Sequence, residues 1–126
     1  IDTKILVVED DSRQNLLLSS LLTHLGARVL HAANANEACR IIQRGFAVQI
    51  VLLDVDLAGQ DGLEVANWLR QQASVAMPKI VVISGHEPQA TEDAIARQLV
   101  DAWLPKPLNV ERLLQTLRSL RIVRLM

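Results

Sequence analysis

The chain has 126 residues, 50% hydrophobic and 21% charged, which is material for one domain with a real core and excludes a disordered segment. Thirteen Lys and Arg against fourteen Asp and Glu leave a formal charge of -1, which removes the broad electrostatic case for nucleic acid or an anionic membrane as the main partner. A single cysteine, Cys39, excludes an intrachain disulfide, and no apolar run reaches the roughly 18–20 residues that span a bilayer, so a soluble cytoplasmic domain is expected.

Apolar runs and helical patterns alternate along the chain. Lys4 to Val8 reads as a buried strand that stops at three acids. A helix follows from Ser12 to Leu25, with Asp11 or Ser12 as its N-cap and Gly26 as its stop. Leu17, Leu18, Leu21, Leu22 and Leu25 are expected on its core face, with Leu16 opposite. Arg28 to Ala32 is a weaker strand, followed by a helix from about Asn36 to Arg44 that ends at Gly45. Gln49 to Leu53 is the third strand and Gly62 to Gln72 a helix, with Val65, Trp68 and Leu69 on one face. Lys79 to Ile83 is the fourth strand, and Glu87 to Leu99 a helix with a weak apolar face. Ala102 to Leu104 is a short fifth strand. Val110, Leu113, Leu114, Leu117 and Leu120 line a last helix. Residues 121–126 fit no periodicity and read as the start of a connector, with 1–126 as a single domain.

Five βα units whose strands are apolar on both faces predict an α/β fold. The expected form is a doubly wound, five-stranded parallel sheet of flavodoxin-like type, in strand order 2-1-3-4-5. Ligands of such sheets bind at the carboxyl ends of the strands. There the sequence places Glu9, Asp10 and Asp11 after the first strand and Asp54 and Asp56 after the third. Ser84 follows the fourth strand and Lys106 the fifth.

Two carboxylates about 4 Å apart repel by about 4 kcal/mol at an effective dielectric near 20, so a cluster of them calls for a cation. Mg2+ suits carboxylates combined with waters and phosphate oxygens. A carboxylate can attack phosphorus to give an acyl phosphate, while a hydroxyl and an ammonium hold the transferred oxygens. Taken singly, each residue has an ordinary reading as a cap, a turn or a surface lysine, and His24, His31 and His86 are too scattered to form a metal site. The conjunction at successive strand ends carries the functional reading. Asp54-Val55-Asp56 also has the form of a DxD motif, which leaves a metal-dependent phosphotransferase or phosphohydrolase as the alternative.

Ile5 to Asp11, Leu52-Leu53-Asp54 with Gly62 downstream, Val82-Ile83-Ser84-Gly85 and Lys106-Pro107 resemble, in order and separation, the motifs of response-regulator receiver domains over nearly the whole chain. The resemblance implies that Asp54 accepts a phosphoryl group from a histidine kinase or histidine phosphotransfer domain. It implies that Glu9, Asp10, Asp54 and the backbone carbonyl of Asp56 hold Mg2+, and that Ser84 and Lys106 contact the phosphoryl oxygens. Such a domain is a switch that gains and loses phosphate rather than a turnover enzyme, although its parent chain can be a kinase. Trp103 stands where the family usually carries Tyr or Phe, the ring that changes rotamer. An indole has an N–H to satisfy when buried, so inward switching is left open.

Ala58 replaces a customary proline, and Leu99 a glycine that commonly ends the fourth helix, so that helix is expected to end differently. Asn15, the leucine-rich first helix and Asn34 to Ala38 look similar to receivers of hybrid sensor kinases, which suits a chain that does not begin with Met. A regulator with a DNA-binding effector domain is the other parent. The expected donor surface is the first helix plus the loop after the fifth strand, with Leu16 as a partner contact. Pairing of the last helix in a homodimer is open. Direct nucleic-acid binding and membrane insertion by this domain are not expected.

Overall fold

Short runs of Ile, Val and Leu fall as strands at every expected place, because β-branched and leucine side chains cover both faces of a pleated ribbon. The computed structural model describes residues 3–54, 62–71, 78–85 and 99–120. In it, β1 (Lys4–Val8), β2 (Arg28–Ala32), β3 (Ile50–Asp54), β4 (Lys79–Ser84) and β5 (Ala102–Pro105) form one sheet in the order β2-β1-β3-β4-β5. All neighbours are parallel, with Ile5 opposite Val29 and Ile50, and Asp54 opposite Ile83. The expected flavodoxin-like topology is the one observed.

Alternate strand residues divide the core in two. Leu6, Val8, Val51, Leu53, Ile80 and Val82 face α2 (Ala35–Gln43) and α3 (Gly62–Arg70). Ile5, Val7, Ile50, Leu52, Val81 and Ile83 face α1 (Ser12–His24) and α4 (Val110–Ser119). Burying each such side chain contributes roughly 1.5–3 kcal/mol against the entropy of ordering it. Since the side-chain period is two, a one-residue slip of any central strand would exchange its residues between these layers.

Helix ends follow local chemistry. Asp11 Oδ1 accepts from the Arg13 and Gln14 amides at 2.9 and 3.4 Å, capping α1. Asn34 Oδ1 accepts from the Glu37 amide at 2.9 Å while Glu37 Oε2 accepts from the Ala33 amide at 2.8 Å, a reciprocal arrangement of the capping-box kind. Gly26 and Gly45 leave α1 and α2 at φ of 100° and 78°, where a Cβ would be strained.

Two helices differ from expectation. The buried stripe of α1 is Asn15, Leu18, Ser19 and Leu22, and Leu17 is 70% exposed rather than in the core. A leucine count weights the stripe toward Leu17, whereas the helix turns two polar residues inward because both find hydrogen-bond partners there. Val110 of α4 is likewise exposed, with Leu113 and Leu117 as the buried pair.

Asp56, Ala58, His86, the expected helix up to Gln98, and the connector at 121–126 lie outside the described residues. Leu99 is described, while the helix it was expected to end lies outside the described residues. The Leu99 carbonyl accepts from Arg70 Nε at 3.1 Å, and Arg70 Nη2 donates to Asp101 Oδ2 at 2.9 Å. Asp101 Oδ2 also accepts from the Ile80 amide at 2.8 Å. An arginine fork from α3 thus ties the Leu99 carbonyl and the Asp101 carboxylate together.

Candidate functional site

Parallel strands that end together deliver their last residues to one edge. Glu9 leaves β1, Asp54 is the last residue of β3, Ser84 the last of β4, and Lys106 follows β5. The Lys106 amide donates to the Ser84 carbonyl at 2.9 Å, which holds the ends of β4 and β5 side by side. Lys106 Nζ donates to Asp54 Oδ2 at 2.9 Å, across the site. The Lys106–Pro107 peptide is cis.

Carboxylate oxygens of Glu9, Asp10 and Asp54 all lie within 4.8 Å of one another. Glu9 and Asp54 are each 3% exposed and Ser84 is 1% exposed, while Asp10 faces solvent. Buried carboxylates this close cannot both keep full charge against one ammonium. Glu9 is accordingly pushed up to about 7, first by burial and then by its hydrogen bond and charge contact with Asp54. The Asp11 amide, which donates to Glu9 Oε1 at 3.1 Å, and the Lys106 charge pull the other way. A divalent cation would relieve the crowding that raises Glu9, and the all-oxygen donor set with one solvent-facing member fits Mg2+ rather than a softer ion.

Of the residues singled out in the sequence, Glu9, Asp10, Asp54, Ser84 and Lys106 converge on this edge, and Asp56 lies outside the described residues. Trp103 sits on β5 with its ring half-buried against the α2–α3 layer. Its Nε1 is buried and has no hydrogen-bond partner among the described residues. Leu16 is 64% exposed, as its position opposite the core implies.

Beside the acids lies an open groove of about 730 Å3 between α1 and the segment after β5. Leu17, Leu21, Ile83, Leu108 and Val110 form its apolar walls, and Glu9 and Lys106 reach its lining. Leu17, assigned to the core from the sequence, thus belongs to this outer wall, while Leu16 is not part of the lining. Asn15, singled out in the sequence only for its resemblance to hybrid-kinase receivers, has a place at the site that was not foreseen: its Nδ2 donates to the Glu9 carbonyl at 3.1 Å. A polar residue four positions before another in an otherwise leucine-rich helix was the available signal.

Over residues 5–118 the sequence matches the response regulator receiver domain. The polar-differentiation response regulator DivK of Brucella anthropi is 24% identical over 115 residues, covering 91% of this chain and 93% of DivK. The chemotaxis protein CheY4 of Vibrio cholerae superposes with a TM-score of 0.84 at 27% identity, covering 94% of this chain and 98% of that one. The response regulator TrrA of Thermotoga maritima, solved in complex with Mg(2+)-BeF, gives a TM-score of 0.80 at 26% identity, covering 94% and 98%. With the fold, the strand-end acids and the matched length in agreement, this chain belongs to the response regulator receiver domain family of two-component signalling.

Proposed function

We propose that this domain accepts a phosphoryl group on Asp54 from the phosphohistidine of a kinase or phosphotransfer protein, with Mg2+ bound beside it. The observation that carries the reading is the buried Asp54 carboxylate held by Lys106 at 2.9 Å within an acid cluster. Glu9, Asp10, Asp54 and the Asp56 carbonyl are the proposed ligands. A magnesium ion there supplies charge neutralisation for the carboxylates and the incoming phosphoryl oxygens. An Asp54 oxygen attacks phosphorus as the P–N bond of the donor breaks, its electron pair staying on the nitrogen, and the imidazole leaves neutral because its other ring nitrogen already carries a proton. Lys106 would pass from the Asp54 carboxylate to a phosphoryl oxygen, and Ser84, at the adjacent strand end, would take another. TrrA, a relative of the same fold, was solved with Mg(2+)-BeF, which supports a metal-assisted phosphoryl site in this chain too.

The groove beside the acids is the proposed docking face, where a helix of the donor would lie on Leu17, Leu21 and Leu108 with its histidine toward Asp54. Incubation with a small phosphodonor and Mg2+ is expected to add one phosphoryl group, lost with a chelator or in Asp54→Asn. No mass change with any donor would overturn the reading. Many turnovers on a phosphate ester would point to the hydrolase alternative instead.

A further inference from the structure

Asn15 and Ser19 occupy the buried stripe of α1, where leucines would bury more apolar surface. Their hydrogen bonds run toward the acids from one side and toward the sheet edge from the other. Asn15 Nδ2 donates to the Glu9 carbonyl at 3.1 Å. Asn15 Oδ1 accepts from Ser19 Oγ at 3.3 Å and lies 2.7 Å from His31 Nδ1, on the edge strand β2. Ser19 Oγ and His31 Nδ1 are 3.1 Å apart, closing a triangle.

The Glu9 carbonyl selects the orientation of the Asn15 amide. A flipped Asn15 amide would set its oxygen against the Glu9 carbonyl, acceptor against acceptor, and its NH2 against the serine and histidine. Oδ1 therefore faces His31, and the ring carries its hydrogen on Nδ1 to meet it. The Glu9 amide in turn donates to the carbonyl of Ala32, the residue after His31, at 3.0 Å. Both backbone groups of Glu9 are thus tied to β2, one directly and one through Asn15.

The carbonyl that Asn15 holds belongs to the peptide joining Glu9 to Asp10. Fixing that peptide fixes the directions in which both acidic side chains leave the chain. We propose that Asn15, oriented by Ser19 and His31, is a positioning residue for the cation site, setting Glu9 and Asp10 in the geometry that binds Mg2+. The inference rests on the Mg2+ reading of the site proposed above. Contacts one layer behind metal ligands govern affinity because they remove the reorganisation a loose ligand must undergo on binding.

The test is Mg2+ binding by calorimetry, paired with the Mg2+-induced rise in melting temperature, on the whole chain without any phosphodonor. Asn15→Ala is expected to weaken binding about 10-fold, the lower end for groups behind a metal ligand. His31→Val, which suits an edge strand but has no donor, is expected to weaken it about threefold, the scale of one neutral hydrogen bond. His31→Asn, whose Nδ2 can stand where Nδ1–H stands, is expected to bind within about twofold of wild type. His31 is on an exposed edge, so this pair decides the matter even where Asn15→Ala fails to fold. Wild-type affinity in His31→Val, or an His31→Asn variant as weak as His31→Val, overturns the positioning role while the cation site stands. A wild-type chain that binds no Mg2+ overturns the cation reading and this inference together.

Discussion

Lys106 Nζ sits 2.9 Å from Asp54 Oδ2, though 52 residues separate them in sequence. The contact exists because β3 and β5 flank β4 in a parallel sheet and all three end at one edge. It anchors the Asp54 carboxylate in one position, which is what the nucleophile proposed above needs before its substrate arrives.

Replacing Lys106 by Met leaves two buried acids facing each other without their ammonium. Stability at pH 8 is expected to fall by about 1–3 kcal/mol, the cost of an uncompensated buried polar group. The loss shrinks toward pH 5, below the value of about 7 to which Glu9 is raised, because Glu9 no longer adds its charge there. Because the Lys106 charge pulls Glu9 down, removing it is expected to move Glu9 above its present value of about 7. Phosphorylation by a small donor is expected to slow by about 100-fold or more. Denaturant unfolding at the two pH values and a phosphorylation time course check both.

The pH dependence has a definite sign. Glu9 in the folded chain titrates at about 7 against 4.5 for an ordinary glutamate, so the folded state holds this proton more tightly than the unfolded state. Its contribution to stability without metal is complete below about 4.5 and is lost as pH rises through about 7. Mg2+ must displace the same proton, so its apparent affinity is expected to rise about tenfold between pH 6 and pH 8. Calorimetric titration at both values measures it, and a flat or falling affinity contradicts the Glu9 assignment.

Leu16 and Leu17 test the docking face. Both are more than half exposed, so Leu16→Asp and Leu17→Asp are expected to change stability by under about 0.5 kcal/mol. Leu17→Asp, within the groove wall, is expected to slow transfer from a phosphohistidine protein about 10-fold or more, and Leu16→Asp to slow it less. Neither should alter phosphorylation by a small donor. Equal transfer rates in all three chains would remove the groove from the account.

The strands and the strand-end acids were legible because each depends on local composition: an apolar run, then a charged residue where the sheet stops. Glu9, Asp10, Asp54, Ser84 and Lys106 could be read in that way. Leu17 could not, because the face of α1 is decided by Asn15 and Ser19 finding partners on β1 and β2, a tertiary fact. The capping of the Leu99 carbonyl was similarly hidden. Nothing near Leu99 in sequence points to Arg70. The upward shift of Glu9 needs the distance between two strands, which no spacing along the chain supplies.

Arg70 and Asp101 can be separated from the phosphorylation site. Asp101→Ala strands the Ile80 amide and the Arg70 guanidinium together, and is expected to cost about 2–3 kcal/mol of stability. Arg70→Ala is expected to cost about 1 kcal/mol. Arg70→Lys is not expected to restore it, since a lysine cannot reach the Leu99 carbonyl and Asp101 as a fork. Denaturant midpoints rank the three variants, with phosphorylation by a small donor unchanged in each. Full recovery in Arg70→Lys would contradict the fork.

The central claim is that Asp54 is the residue that carries the phosphoryl group. An acyl phosphate, unlike a free carboxylate, is reduced by borohydride to an alcohol, which converts aspartate to homoserine. After treatment with a small phosphodonor and Mg2+, borohydride reduction and peptide mapping are expected to find homoserine at position 54 in the wild-type chain. None is expected there in Asp54→Asn or with a chelator. Homoserine at Asp10 instead, or an unreduced Asp54 in a chain that has gained a phosphoryl group, would contradict the account.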